Sequence, residues 1–121
     1  LIEDRPGRYR NVQVCALSAA EMRATIDHAV DRGHEALTIV SHSFELANRA
    51  ATAPNRVHVR LFEALCAILA ARRTVAPTAH FADHPALRPG RDDQPLPPSA
   101  LRLRWRQVEQ AWSTLVEERA A

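Results

Sequence analysis

The sequence predicts an α/β fold, and three observations carry that expectation. Apolar and polar residues alternate just before a first helical stretch, a short apolar run follows that helix, and a second helical stretch follows the run. Strand, helix, strand, helix is the alternation that lays helices over a parallel sheet. At 121 residues and 46% hydrophobic, the chain has material for one modest buried core.

Each element has a local reason. Residues 1–8 hold Pro6 and Gly7 among charges and read as a turn or an extended lead-in. Residues 9–16 put Val12 and Val14 on one face and read as a strand. Ser18-Ala19-Ala20-Glu21 has the form of a capping box, and Met22, Ile26, Ala29 and Val30 recur behind it at helical spacing until Gly33, which predicts a helix over about 19–32. The run Ala36–Ser41, mostly apolar and rich in branched side chains, suits a buried strand of a parallel sheet. After a long connection over 42–56, Asn55 is placed to cap a helix over about 57–72 whose apolar face is Leu61, Phe62, Leu65, Ile68 and Leu69.

A change of composition follows. Five of the eight prolines fall between Pro85 and Pro98, and Arg88–Gln94 offers nothing to bury, so 85–98 reads as a Pro-rich linker. Ser99 can cap a terminal amphipathic helix within 99–121, where Leu101, Trp105, Val108, Trp112 and Leu115 step by four and three. That stripe is expected to dock on its own domain. The organisation expected is therefore 1–84, a linker over 85–98, and a helix within 99–121.

Composition excludes some functions. All 16 basic residues are Arg, but they are spread among 14 acidic residues, net charge is only +2, and one Tyr among few aromatics gives no stacking surface, so no nucleic-acid partner is expected. No apolar run approaches the roughly 20 residues of a membrane span, so no membrane partner is expected either. The chain begins at Leu1 rather than Met, as a processed or truncated chain does, and Leu1–Arg5 is unlike a signal sequence. Cys15 and Cys66 permit one disulfide without requiring it. Each sits in an apolar stretch, and two reduced core cysteines are favoured, a lean toward the cytoplasm. With no CxxC pair, a structural zinc site is not expected.

Three stretches resemble a known family: Cys15–Met22, then Ile39-Val40-Ser41-His42-Ser43-Phe44-Glu45-Leu46, then Arg60–Cys66. In this order they are similar to the C-terminal third of bacterial polysaccharide deacetylases of the NodB-homology type, over roughly residues 9–84. The most informative piece is an apolar strand ending in His42. The resemblance implies the C-terminal β/α units of a deformed (β/α) barrel. It also implies a hydrolase that removes acetyl groups from a carbohydrate with the help of zinc or another divalent metal. In the family an Asp is the base and a His of the last motif protonates the leaving group, roles that suit a carboxylate and an imidazole.

Carried over residue by residue, only His42 finds a catalytic position. The Thr-Phe-Asp-Asp stretch, the His-Ser/Thr-x-x-His pair and the Arg-x-Pro groove motif of the family are missing, and Ser43 stands where Asp often follows the His. No metal ligand and no cofactor is therefore assigned to this chain alone, and it is not expected to act alone. His80 and His84 have metal-chelating spacing, but they follow the general-acid motif, Phe81 replaces Ser or Thr, and Pro85 draws His84 from helical geometry. Ser41 and His42 face opposite ways along a strand, which disfavours serine hydrolysis. Strand alternation pairs His42 with Val40 and Thr38 toward a barrel lumen, and Leu37 and Ile39 with the helices. His28, His34 and His58 read as ordinary helix-associated histidines. The alternative function is a non-catalytic interaction module using the 99–121 helix, and open sheet edges make self-association a further expectation.

Overall fold

Across residues 1–83 and 93–117, which the computed structural model describes, the chain is mixed α/β with three α-helices and two two-stranded sheets. The sheet nearest the N-terminus comes from a stretch with almost no apolar pattern. β1 (Ile2–Arg5) and β2 (Arg8–Arg10) pair antiparallel, with Ile2 opposite Arg10 and a register shift between Glu3 and Arg5. Gly7 takes φ 76° at the turn, a conformation that costs glycine little, and its N–H donates to Glu3 Oε1 at 2.8 Å. The expected lead-in is thus a hairpin in which Ile2 is buried and Tyr9 is exposed.

The strand expected over 9–16 is divided into β2, then β3 (Val12–Gln13), then a 3-10 turn over Val14–Ala16. Its alternation survives the division, since Val12 and Val14 are both buried. In α1 (Ala19–Asp31) the capping box forms: Glu21 N–H donates to Ser18 Oγ and Ser18 N–H to Glu21 Oε2, each at 3.1 Å. Gly33, at φ 61°, ends the helix as expected. β4 (Ile39–Val40) then pairs parallel to β3, Val12 with Ile39 and Gln13 with Val40, so β3, α1 and β4 make the expected crossover unit in a shorter form. Among the described residues no closed barrel forms.

Asn55 Oδ1 accepts from the N–H groups of Val57 and His58 at 3.1 Å and opens α2 (Arg56–Arg72). Leu61, Leu65 and Ile68 of the expected face are buried and meet Val14, Leu17, Met22 and Ile26, while Phe62 at its margin is exposed. Leu37 and Ile39 pack against this core from the β4 side. Both cysteines are free, but only Cys15 is partly buried. Cys66 lies one residue past Leu65, about 100° round the helix, and is exposed, which corrects the expectation of two core cysteines.

Within the proline-rich stretch, residues 85–92 and His84 lie outside the described residues. Leu96 does not behave as a spacer residue. It is buried, its N–H donates to Leu1 O at 3.2 Å, and its carbonyl accepts from Glu3 N–H at 3.0 Å, forming a bridge with Ile2. Ser99 then caps α3 (Ala100–Trp112), which runs on into a π turn over Ser113–Glu117.

The rotation of α3 is opposite to expectation. Leu101, Trp105, Val108, Trp112 and Leu115 all face out, and the buried side chains of this segment are Arg106 and Ser113. The reason is electrostatic. Arg106 Nη1 donates to Asp4 Oδ1 and to Glu21 Oε1 at 3.1 Å, and Nη2 to Asp4 Oδ2 at 3.3 Å. Arg10 Nε lies 2.8 Å from Asp4 Oδ2 in the same cluster. Burial pushes the Glu21 carboxyl up, opposed by the Ser18 N–H and the Arg10 charge. Rotating α3 to bury its tryptophans would strip Arg106 from the buried Glu21 and the partly buried Asp4, and an uncompensated buried charge costs more than an aromatic ring gains. Arg106→Ala should therefore lower stability by about 3 kcal/mol. Exposed Arg104→Ala should change it by less than about 0.5 kcal/mol, and urea unfolding of the two variants measures the contrast.

Candidate functional site

The site grows from the point where β4 ends. The chain stays extended through His42 (φ −122°, ψ 138°) and then winds into a 3-10 turn over Ser43–Leu46. That turn is closed by Glu45 N–H donating to His42 O at 3.1 Å, and it brings the Glu45 carboxylate back over His42. His42 Nδ1 lies 3.1 Å from Glu45 Oε1, and His42 N–H reaches Glu45 Oε2 at 3.4 Å. The imidazole side chain is 50% exposed, whereas that of Glu45 is 12% exposed. The His42 ring also stacks on Phe44, centroids 5.2 Å apart and planes at 23°, and Phe44 is itself strongly exposed.

Glu45 is held from behind as well. Gln13 Nε2, at the end of β3, donates to Oε1, and the Cys15 thiol donates to Oε2. Burial would raise the Glu45 carboxyl, but the hydrogen bonds from Cys15, His42 and Gln13 outweigh it and hold the group below the usual carboxylate range. Burial, with the bond to Glu45 and its negative charge, pushes the Cys15 thiol up to about 12. Cys15 is therefore a donor at neutral pH and not a thiolate nucleophile. With Glu45 ionised, Nδ1 of His42 must carry a proton. The neutral ring then presents Nε2 as an acceptor, and the charged ring presents it as a proton donor.

The other histidines divide between structural roles. His58 Nδ1 donates to Glu45 O at 2.7 Å, and its Nε2 lies 3.4 Å from Ser113 Oγ. Ser113 is buried and also accepts from Asn55 Nδ2 at 3.2 Å, so this pair joins α2 to the end of α3 and offers no nucleophile to solvent. His28 meets His34 edge-on at 5.6 Å and its Nε2 lies 3.0 Å from Gln94 O. His80 is exposed, with its N–H bonded to Asp83. Ser41 is exposed one residue before His42 and makes no bond to it among the described residues.

Sequence reasoning singled out His42 but not the residues that surround it, Glu45, Gln13 and Cys15. A signal for one of them was present: Glu45 stands three residues after His42, the spacing at which a carboxylate folds back over a turn. Gln13 and Cys15 become legible only once β3 and β4 are paired.

Among the described residues no group of three or more His, Cys, Asp or Glu is placed to hold a metal ion. Cys15, His42 and Glu45 do not fit that task, because both Glu45 oxygens and the facing His42 nitrogen are engaged with one another and with Gln13. What the arrangement can do is hold an imidazole by Nδ1 and offer Nε2 as a proton carrier at the surface.

The depressed Glu45 group carries a pH signature. Its stabilising contribution is fully present above the ordinary carboxylate pKa and is lost as pH falls through the depressed folded value. At pH 7, Glu45→Gln should cost about 1–3 kcal/mol, the worth of hydrogen bonds to a charged group. The gap between parent and variant in urea unfolding should close as the solution is acidified below the carboxylate range. A gap that stays constant would show that the charge is not what holds the turn.

No protein-family model matches the sequence, no curated protein matches it, and no solved structure matches the fold.

Proposed function

We propose that this chain is the C-terminal portion of a NodB-type, metal-dependent carbohydrate deacetylase, composed of the last β/α units of its deformed barrel, with His42 as the residue that protonates the leaving group. One observation carries the proposal. An exposed imidazole sits just past the C-terminal end of a parallel strand, where barrel enzymes carry their chemistry, and a partly buried carboxylate fixes it by Nδ1. The family resemblance of Ile39–Leu46 gives that imidazole its role.

In this reading the substrate is an acetylated carbohydrate. Loss of the acyl group leaves a sugar nitrogen or oxygen that must gain a proton, and charged His42 delivers it from Nε2 while Glu45 keeps Nδ1–H in place. The residues of this chain supply that step and no more. The family's metal ligands and base have no counterpart here, so no step through the metal is assigned to these residues.

A second reading has its own observation. The outward stripe of α3 is what a non-catalytic interaction module would display. The DNA immediately upstream of the Leu1 codon separates the two: an in-frame Asp-Asp and His-x-x-x-His belong to the deacetylase reading, a stop or start codon to the module. In a chain carrying those upstream motifs, His42→Ala should leave zinc content and folding intact and lower turnover by about 10²–10⁴-fold. The loss should be smaller on activated aryl acetates, whose leaving groups need little protonation. Loss of zinc would show that His42 has a different task, and equal loss on both substrates would make it a positioning residue.

A further inference from the structure

Glu45 is held at both ends by an imidazole. Its carboxylate meets His42 Nδ1 at 3.1 Å, and its main-chain carbonyl accepts from His58 Nδ1 at 2.7 Å. That carbonyl is open to a side chain because the 3-10 turn stops there. A continued turn would send Asn48 N–H to Glu45 O, but Asn48 N–H donates to Ala53 O at 2.8 Å instead. A carbonyl released at the end of a turn in a partly buried place needs a donor from elsewhere, and His58 in the first turn of α2 supplies it.

His58 is itself fixed. Its N–H donates to Asn55 Oδ1 at 3.1 Å, and Asn55 N–H donates to Leu46 O at 2.8 Å, so the start of α2 is tied to the same turn twice. A carbonyl can only accept, so Nδ1 of His58 carries a proton whether the ring is neutral or charged. In the neutral ring Nε2 is an acceptor facing the Ser113 hydroxyl, 3.4 Å away, while Ser113 Oγ accepts from Asn55 Nδ2 at 3.2 Å. Asn55 and Ser113 are both buried, so water does not compete for these bonds.

The carbonyl bond decides where the carboxylate is shared. Glu45 Oε1 accepts from both Gln13 and His42, and Oε2 accepts from Cys15. Gln13 and Cys15 come from the β3 side and can hold the carboxylate there by themselves. Setting Oε1 against His42 as well requires one orientation of the turn, and the His58 bond fixes the turn in it. We propose that His58 is a positioning residue for the His42 site, acting through the Glu45 carbonyl, with Ser113 bringing the end of α3 into the same arrangement. This rests on the reading of His42 as a proton carrier held by Nδ1.

Nitrogen-15 NMR of the full chain tests it by reading the tautomer of His42 at a pH where that ring is neutral. His58→Phe removes the donor and keeps an aromatic ring, and it should shift His42 from the Nδ1–H toward the Nε2–H form by about 3–10-fold in ratio, the worth of one hydrogen bond. His58→Gln, whose amide falls near the Nε2 position and misses Glu45 O, should do the same and decides the matter if His58→Phe does not fold. His58→Asn, whose amide falls near the Nδ1 position, should restore the parent ratio, which a role in packing alone would not do. An Nδ1–H form in the parent that neither His58→Phe nor His58→Gln moves overturns the proposal and leaves the reading of His42 standing. A shift that His58→Asn shares in full also overturns it, because the donor is then not what matters. An Nε2–H form in the parent overturns both.

Discussion

The buried carboxylate of Glu21 and the partly buried one of Asp4 need cations, and the position of Arg106 between them governs the arrangement of the rest. Glu21 has two duties at once: Oε2 caps α1 and Oε1 accepts from Arg106. Asp4 brings the hairpin to the same point, where Arg10 adds a second guanidinium. Hairpin, first helix and last helix are thus joined where no apolar side chain could substitute without stranding a charge. The apolar core of Val12, Val14, Leu17, Met22, Ile26, Leu61, Leu65 and Ile68 supplies the burial that favours folding, but it does not set the rotation of α3.

The same logic recurs at Glu45 on a smaller scale. Its carboxylate collects donors from β3, from the turn after β3 and from His42, and its carbonyl accepts from His58 in the first turn of α2. A short, two-residue parallel pairing would be a weak platform by itself. Cross-linking by Glu45 gives the end of β4 a defined geometry, and His42 inherits it. In both places a carboxylate caps a local turn and also makes a long-range contact, so local and tertiary structure reinforce each other.

Several features were legible because a local mechanism announces them. The Ser18–Glu21 box, the Gly33 stop and the Asn55 and Ser99 caps depend on neighbours within four residues, and each is found as read. The parallel β3 and β4 pairing followed from the order of elements. Other features were not legible. The hairpin hides in a charged segment, because a strand with one inward side chain has no period to detect. Leu96 lies among prolines, and its burial depends on backbone bonds to Leu1 and Glu3 far away in sequence. The stripe of α3 was visible but its direction was not, because apolar periodicity alone does not report that Arg106 must meet Asp4 and Glu21.

The functional account depends on Glu45 fixing the proton of His42 on Nδ1, which is not the nitrogen preferred by a free imidazole in water. Nitrogen-15 NMR of the six histidines, with His42 assigned by its loss in His42→Ala, observes this directly. Above the pH at which His42 is neutral, the account predicts the Nδ1–H form for His42 in the parent chain and a return toward the Nε2–H form in Glu45→Ala. An Nε2–H form in the parent, unchanged in Glu45→Ala, would contradict it.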